Sequence, residues 1–190
     1  MSTPTIPPIT SLSTLPADAQ LRALDTLFEP SPELHALVQP ILSKQTFPTY
    51  DALIDEIQTQ LSTLSAKRDN ALAEKETLYA ILGSHPRLGI PSPAAQAHLS
   101  ELSRREQANL NSHDDSSNSA ELAARLDALN REYEEMYPGL RYVTFVNGRG
   151  RDVIMVDMRS RIDRANLALE VQDNIQAMCD IAKDRAGKLQ

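Results

Sequence analysis

"LRYVTFV", residues 140–146, is the one stretch of the chain that reads as a β-strand, because β-branched and aromatic residues concentrate in it. If it pairs, the protein contains a sheet; if it does not, the rest is helical. The sequence offers no second segment of this kind to pair with, so 140–146 is read as extended chain inside a helical protein. Immediately after it, "NGRGR" (147–151) reads as a turn, "DVIMVDMRSRI" (152–162) as a helix and "ALEVQDNIQAMCDIAKDRAGKL" (168–189) as a long closing helix. Immediately before it, "ELAARLDALNREYEEMY" (121–137) carries Leu122, Leu126, Leu129, Tyr133 and Met136 on one stripe, with Asn118 and Glu121 at capping-box spacing.

Further upstream the same periodicity recurs. "PADAQLRALDTLF" (16–28) spaces Leu21, Leu24 and Phe28 by three and four. "SPELHALVQPIL" (31–42) begins with Ser31 as N-cap and Pro32 at the first helical position. "TYDALIDEIQTQLSTL" (49–64) follows a Thr49 cap with Leu53, Ile57 and Leu61, and "NALAEKETLYAIL" (70–82) ends against Gly83. Ser92-Pro93 opens a further helix over 93–110, and "NSHDDSSNSA" (111–120) reads as a polar loop. The expectation is an all-α protein: a single compact domain of about eight helices over 16–190, with one short extended segment at 140–146. Residues 1–15, rich in Pro, Ser and Thr, are expected to form a flexible N-terminal arm.

Composition narrows the function classes. Hydrophobic residues make up 41% without any run of membrane-spanning length, which predicts a soluble chain that does not enter a membrane. The N-terminus lacks the basic and apolar regions of a secretion signal, and a single cysteine, Cys179, cannot form an internal disulfide. An intracellular location, cytoplasmic or peroxisomal, is expected; the "GKLQ" end resembles a peroxisomal tail extended by one residue. A net charge of −7 and the absence of Trp argue against a nucleic-acid partner. No HxxxH, HExxH or CxxC occurs, so no metal is expected. Cys179 sits on an apolar helical stripe, where packing explains it better than nucleophilic chemistry.

Candidate functional residues are those that break the amphipathic pattern. In the 93–110 helix, Glu106 falls on the inner stripe of Leu99, Leu102 and Leu110, with Ser103 and Gln107 beside it. In the closing helix, Arg185 continues the stripe of Ile175, Met178 and Ala182. A surface-edge glutamate reaching solvent and an arginine favoured by the helix macrodipole account for the same patterns. In "GSHPRLGIP" (83–91), His85 precedes a proline, which drives its backbone toward extended geometry, and Gly83 and Gly89 permit a sharp turn. Such an imidazole suits acid–base work near neutrality, and it is equally an ordinary loop histidine.

Taken in order, "SHPRLG" (84–89), "SRREQ" (103–107), "LNREY" (129–133), "YPGLRYVTFV" (137–146) and "IAKDR" (181–185) resemble the landmarks of one family, the 2-oxo-4-hydroxy-4-carboxy-5-ureidoimidazoline (OHCU) decarboxylases. "LFEPSPEL" and "FPTYDALIDEI" also look like that family's N-terminal helices, so the resemblance covers roughly residues 16–187. It implies an all-helical, cofactor-free enzyme of urate breakdown that converts OHCU to (S)-allantoin and CO2, and it implies a homodimer. It also implies that His85 is the catalytic histidine, with Glu106 and Arg185 as catalytic partners. Pro86, Ser103 and Gln107 match substrate-binding positions, as does the extended segment Tyr142, Val143, Thr144, Phe145 and Val146. Two departures stand out: "YPGLRYV" is one residue longer than the family's usual "FGFPFV", and the arginine is followed by Ala186 where leucine is usual. Two rival readings remain: a non-catalytic helical interaction domain, and a relative acting on another ureido or imidazolinone acid.

Overall fold

The computed structural model describes residues 5–68, 71–89, 102, 104 and 119–189. Among these lie eight helices and no strand: α1 (Ile9–Leu12), α2 (Ala17–Phe28), α3 (Pro32–Leu42), α4 (Tyr50–Lys67), α5 (Leu72–Leu82), α6 (Ser119–Met136), α7 (Arg151–Arg164) and α8 (Leu167–Leu189). The protein is all-α, and 140–146 is extended chain, as its lack of a partner segment predicts. None of the described helices is long and apolar enough to cross a membrane. The chain forms two compact units, Met1–Ser84 with Ile175–Gln190 and His85–Asn174.

In the first unit the local signals act where they stand. Ser31 accepts the Leu34 amide at 3.2 Å behind Pro32, and Thr49 accepts the Ala52 amide at 3.1 Å, so α3 and α4 start with satisfied N–H groups. Leu53, Ile57 and Leu61 on α4 are fully buried, and α5 packs against both α3 and α4. The closing turns of α8 meet α4 through Lys183 on Asp55 at 2.6 Å and Gln58 on Gln176 at 2.8 Å. Residues 5–15, expected as a loose arm, bury Ile6 and Leu12 and carry α1. The Tyr50 hydroxyl donates to the Pro7 carbonyl at 2.7 Å. Cys179 is wholly buried, and burial pushes its thiol up to about 12.

The second unit contains the loop from His85, α6, the extended segment, α7 and the opening turns of α8. α6 packs on α7, and Arg159 donates both terminal nitrogens to Glu132 at 2.6 Å. Its buried face departs from the expected stripe: Leu126 and Tyr133 are buried with Asn130 and Tyr137, whereas Met136 is 44% exposed. The stripe passes through a polar residue, which an apolar-only pattern steps over. α6 also begins at Ser119, inside the segment expected as a 111–120 loop. The rest of that loop, the Asn118 cap and all but Leu102 and Arg104 of the expected 93–110 helix lie outside the described residues. Those two are helical.

Leu126→Ala should cost about 2–5 kcal/mol, the range for emptying a fully packed site. Met136→Ala should stay within about 0.5 kcal/mol. Equal losses in urea denaturation would return Met136 to the core. For Cys179, folded and unfolded chains alike keep the thiol protonated below its ordinary value near 9.0, and between there and about 12 only the unfolded chain ionises. Stability is therefore lost as pH rises through that window. Maleimide labelling at pH 8 should track global unfolding; rapid labelling of the folded protein would contradict this burial.

Candidate active site

The His85 turn is built from both of its ends. Gly83 caps α5 with an ordinary right-handed φ of −77° and donates its amide to the Tyr79 carbonyl at 2.8 Å. Glycine is needed there for closeness rather than handedness, since a Cβ would stand 3.0 Å from that same carbonyl oxygen. Ser84 then closes a turn on the Ile81 carbonyl, and the second unit begins with His85. His85 is 4% exposed, and Pro86 is half-buried. The turn is tied to α6 at successive points. Arg87 makes a two-pronged pair with Glu134, and the Asn130 amide donates to the Leu88 carbonyl at 2.9 Å. Gly89, at φ +132°, lies where a Cβ would touch Leu126 at 3.5 Å. Arg141 donates to the His85 carbonyl at 3.3 Å, which links the turn to the extended segment.

That segment has no strand beside it, so side chains satisfy its backbone. In extended chain the C=O of one residue and the N–H two residues on face the same edge. Asn174 fits that spacing with one amide, donating to the Arg141 carbonyl at 3.0 Å and accepting from the Val143 N–H at 3.4 Å. Arg161 donates to the Val143 carbonyl at 3.0 Å and to the Asn174 side chain at 3.0 Å. Its Nε donates to Glu170 at 3.1 Å, Nη2 also lies 2.9 Å from that carboxylate, and Arg164 approaches the other Glu170 oxygen at 2.8 Å. Tyr133 donates to Glu170 at 2.5 Å; burial first, then the Glu170 charge, raises its phenol above the ordinary value. Tyr142 lies beneath the Arg161 guanidinium at 4.7 Å, edge-on to Tyr133, and donates to Asp157. Burial, then the bond to Asp157, raises the Tyr142 phenol too.

The far end is closed by a turn with Asn147 at φ +44° and Gly148 at φ +74°, the type I′ signature expected of Asn-Gly. Arg149 folds back from it onto the Thr144 hydroxyl and the Phe145 and Val146 carbonyls, at 2.5–3.2 Å. The backbone of Val143 is thus used internally. By the alternation of extended chain the N–H and C=O groups of Tyr142 and Thr144 turn to the opposite edge, and they carry no hydrogen bond among the described residues.

Arg185 belongs to the first unit, on the inner face of α8, 2% exposed. It pairs with the buried carboxylate of Glu29 at 2.8 Å and donates to the Thr26 and Leu27 carbonyls at 3.3 Å. Glu29 caps α2 at φ 74°, ψ 153°, a region glycine occupies readily and other residues at a cost of roughly 1–3 kcal/mol.

Within the second unit Arg141 links the carbonyl of His85, and so the turn that carries Pro86, to the segment of Tyr142, Val143, Thr144, Phe145 and Val146. Ser103, Glu106 and Gln107 lie outside the described residues. Among the described residues, no group of three His, Cys, Asp or Glu side chains is placed to hold a metal ion. Sequence reasoning missed Arg161, Glu170, Asn174 and Glu29. A signal existed for two of them: stepping back from Met178 by four and four along the α8 stripe reaches Asn174 and Glu170. Compared with known families, residues 13–187 match the model of the OHCU decarboxylases. A comparison with curated proteins gives no match.

Arg161→Met should destabilise the protein by about 3–5 kcal/mol, because it leaves the buried Glu170 with the partly exposed Arg164 as its remaining paired cation among the described residues. A loss under about 1 kcal/mol in chemical denaturation would show that the Arg161 network does not hold this unit.

Proposed function

The chain belongs to the OHCU decarboxylase family, and on that premise we propose that it converts 2-oxo-4-hydroxy-4-carboxy-5-ureidoimidazoline to (S)-allantoin and CO2. The observation that carries the proposal is His85: a buried imidazole on a turn tied to α6 and to the extended segment, in a chain the family matches over 13–187.

Breaking the bond between a ring carbon and its carboxylate leaves an electron pair that needs a sink and then a proton. In this substrate the adjacent ring takes the pair up as an enolate-like anion, so the chemistry does not require a cofactor as electron sink. The protein's tasks are to hold the carboxylate out of the ring plane, stabilise the anion and deliver a proton to one face. His85 is the acid/base that delivers it and so sets the (S) configuration. The pinned turn supports this role, since a fixed imidazole addresses one face only. Pro86 stiffens the turn beside it. The outward N–H and C=O groups of Tyr142 and Thr144 offer the alternating donors and acceptors that a ureido-substituted ring requires. The resemblance assigns Glu106, with Ser103 and Gln107, to the substrate's remaining N–H and carbonyl edges. Arg185 orients the substrate or faces a carbonyl that gains charge; clamped on the leaving carboxylate, it would stabilise a charge that the reaction removes. The resemblance also supports a homodimer, an intracellular location, cytoplasmic or peroxisomal, and a small-molecule partner rather than nucleic acid or membrane.

The departure at "YPGLRYV" favours, as a second reading, a relative that takes another ureido or imidazolinone acid. Circular dichroism of OHCU generated freshly from urate separates the two, because spontaneous decay yields racemic allantoin. The expected outcome is a fast-rising (S)-allantoin signal. His85→Asn should lose turnover by about 10²–10⁴-fold with substrate affinity largely kept, whereas Glu106→Ala should weaken binding too. A racemic product at the uncatalysed rate would move the weight to another substrate or to a binding role. Mild, equal losses in both variants would refute the two assignments.

A further inference from the structure

We propose that Glu29 is the positioning residue for Arg185, and that the unfavourable backbone at Glu29 persists because it aims the carboxylate at the guanidinium. The inference rests on the reading of Arg185 as a residue that orients substrate.

Three features converge on Glu29. Its backbone lies at φ 74°, ψ 153°, where a side chain is unwelcome; glycine would make the same turn without strain. Pro30 follows and disfavours a helical ψ for the residue before it, and the Glu29 amide donates to the Asp25 carbonyl at 3.0 Å, so the conformation is held from both sides. The carboxylate, itself 4% exposed, reaches Arg185 Nη2 at 2.8 Å. The Thr26 and Leu27 carbonyls take Nη1 at 3.3 Å, and they belong to the last turn of α2, at the negative end of its dipole. Glu29 and the two carbonyls thus hold the two terminal nitrogens of the planar fork. An ion pair kept only for stability is poorly served here. Burying two charges already carries a desolvation cost that apolar side chains avoid, and the backbone adds a second cost to it. A requirement for a fixed fork accounts for both.

The test compares Glu29→Gln, which keeps the reach and loses the charge, with Glu29→Asp, which keeps the charge and falls short by one methylene. Turnover is read from the (S)-allantoin signal of the full chain and stability from Tm. Positioning predicts crossed orders. Gln should lower kcat severalfold and Asp at least tenfold, while Asp keeps the higher Tm because the buried guanidinium retains its counter-charge. Glu29→Gly relieves the backbone while removing the counter-charge, and its kcat, measured on the folded fraction, should fall at least as far as that of Asp. A merely structural pair would make turnover follow Tm; that result, or parental kcat in the Gly variant, overturns the proposal. A parental protein that gives no chiral signal removes the proposed function, and this inference with it, before any variant is made. Parental turnover with variants ordered by Tm removes this inference alone.

Discussion

A buried stretch of extended backbone without a sheet is the constraint on which the second unit depends. Its N–H and C=O groups need partners as surely as those of a strand, because an unpaired backbone group out of water costs about as much as a lost hydrogen bond. Here Arg161 and Asn174 stand in for a neighbouring strand: an amide that spans the Arg141 carbonyl and the Val143 N–H, and a guanidinium on the Val143 carbonyl. With one edge occupied this way, the alternation of an extended chain turns the polar groups of Tyr142 and Thr144 to the other.

Such an arrangement sets its own requirements. A guanidinium that is 7% exposed needs a counter-charge, which fully buried Glu170 supplies. Glu170 in turn is shared with Arg164 and with the Tyr133 hydroxyl, and Asn174 also donates to that hydroxyl. Tyr142 fills the space below the guanidinium and connects to Asp157. Each member satisfies another, and a network of this kind is stiff because partial satisfaction is so unfavourable in a low dielectric. That stiffness extends through Arg141 to the carbonyl of His85 and to the turn secured on α6 by Arg87, Asn130 and Gly89.

The first unit shows the same economy on a smaller scale. Arg185 pairs with Glu29 through Nη2, and its Nη1 takes carbonyls that α2 cannot bond within itself. Both arginines sit on the inner faces of their helices, where an apolar side chain is the default, so each marks a place where the fold accepts polarity in its interior.

The sequence by itself determined the all-α class, the caps at Ser31 and Thr49, the stop at Gly83, the Asn147-Gly148 turn and the unpaired character of 140–146; it marked Arg185 as a break in an apolar stripe, and left open whether that arginine turns inward or lies at a solvated helix end. These depend on periodicity and on hydrogen bonds spanning a few residues, which a linear pattern contains. It misplaced Met136 in the core and passed over Asn130, because an apolar stripe cannot register an amide buried for its hydrogen bond. Only the tertiary structure decided that Arg185 meets Glu29, that Arg161 meets Glu170, and that Asn174 reads the edge of the extended segment. Those partners lie from 9 to 156 residues apart, and which buried polar group answers which is set by the packing of helices that bring them within 2.8–3.4 Å.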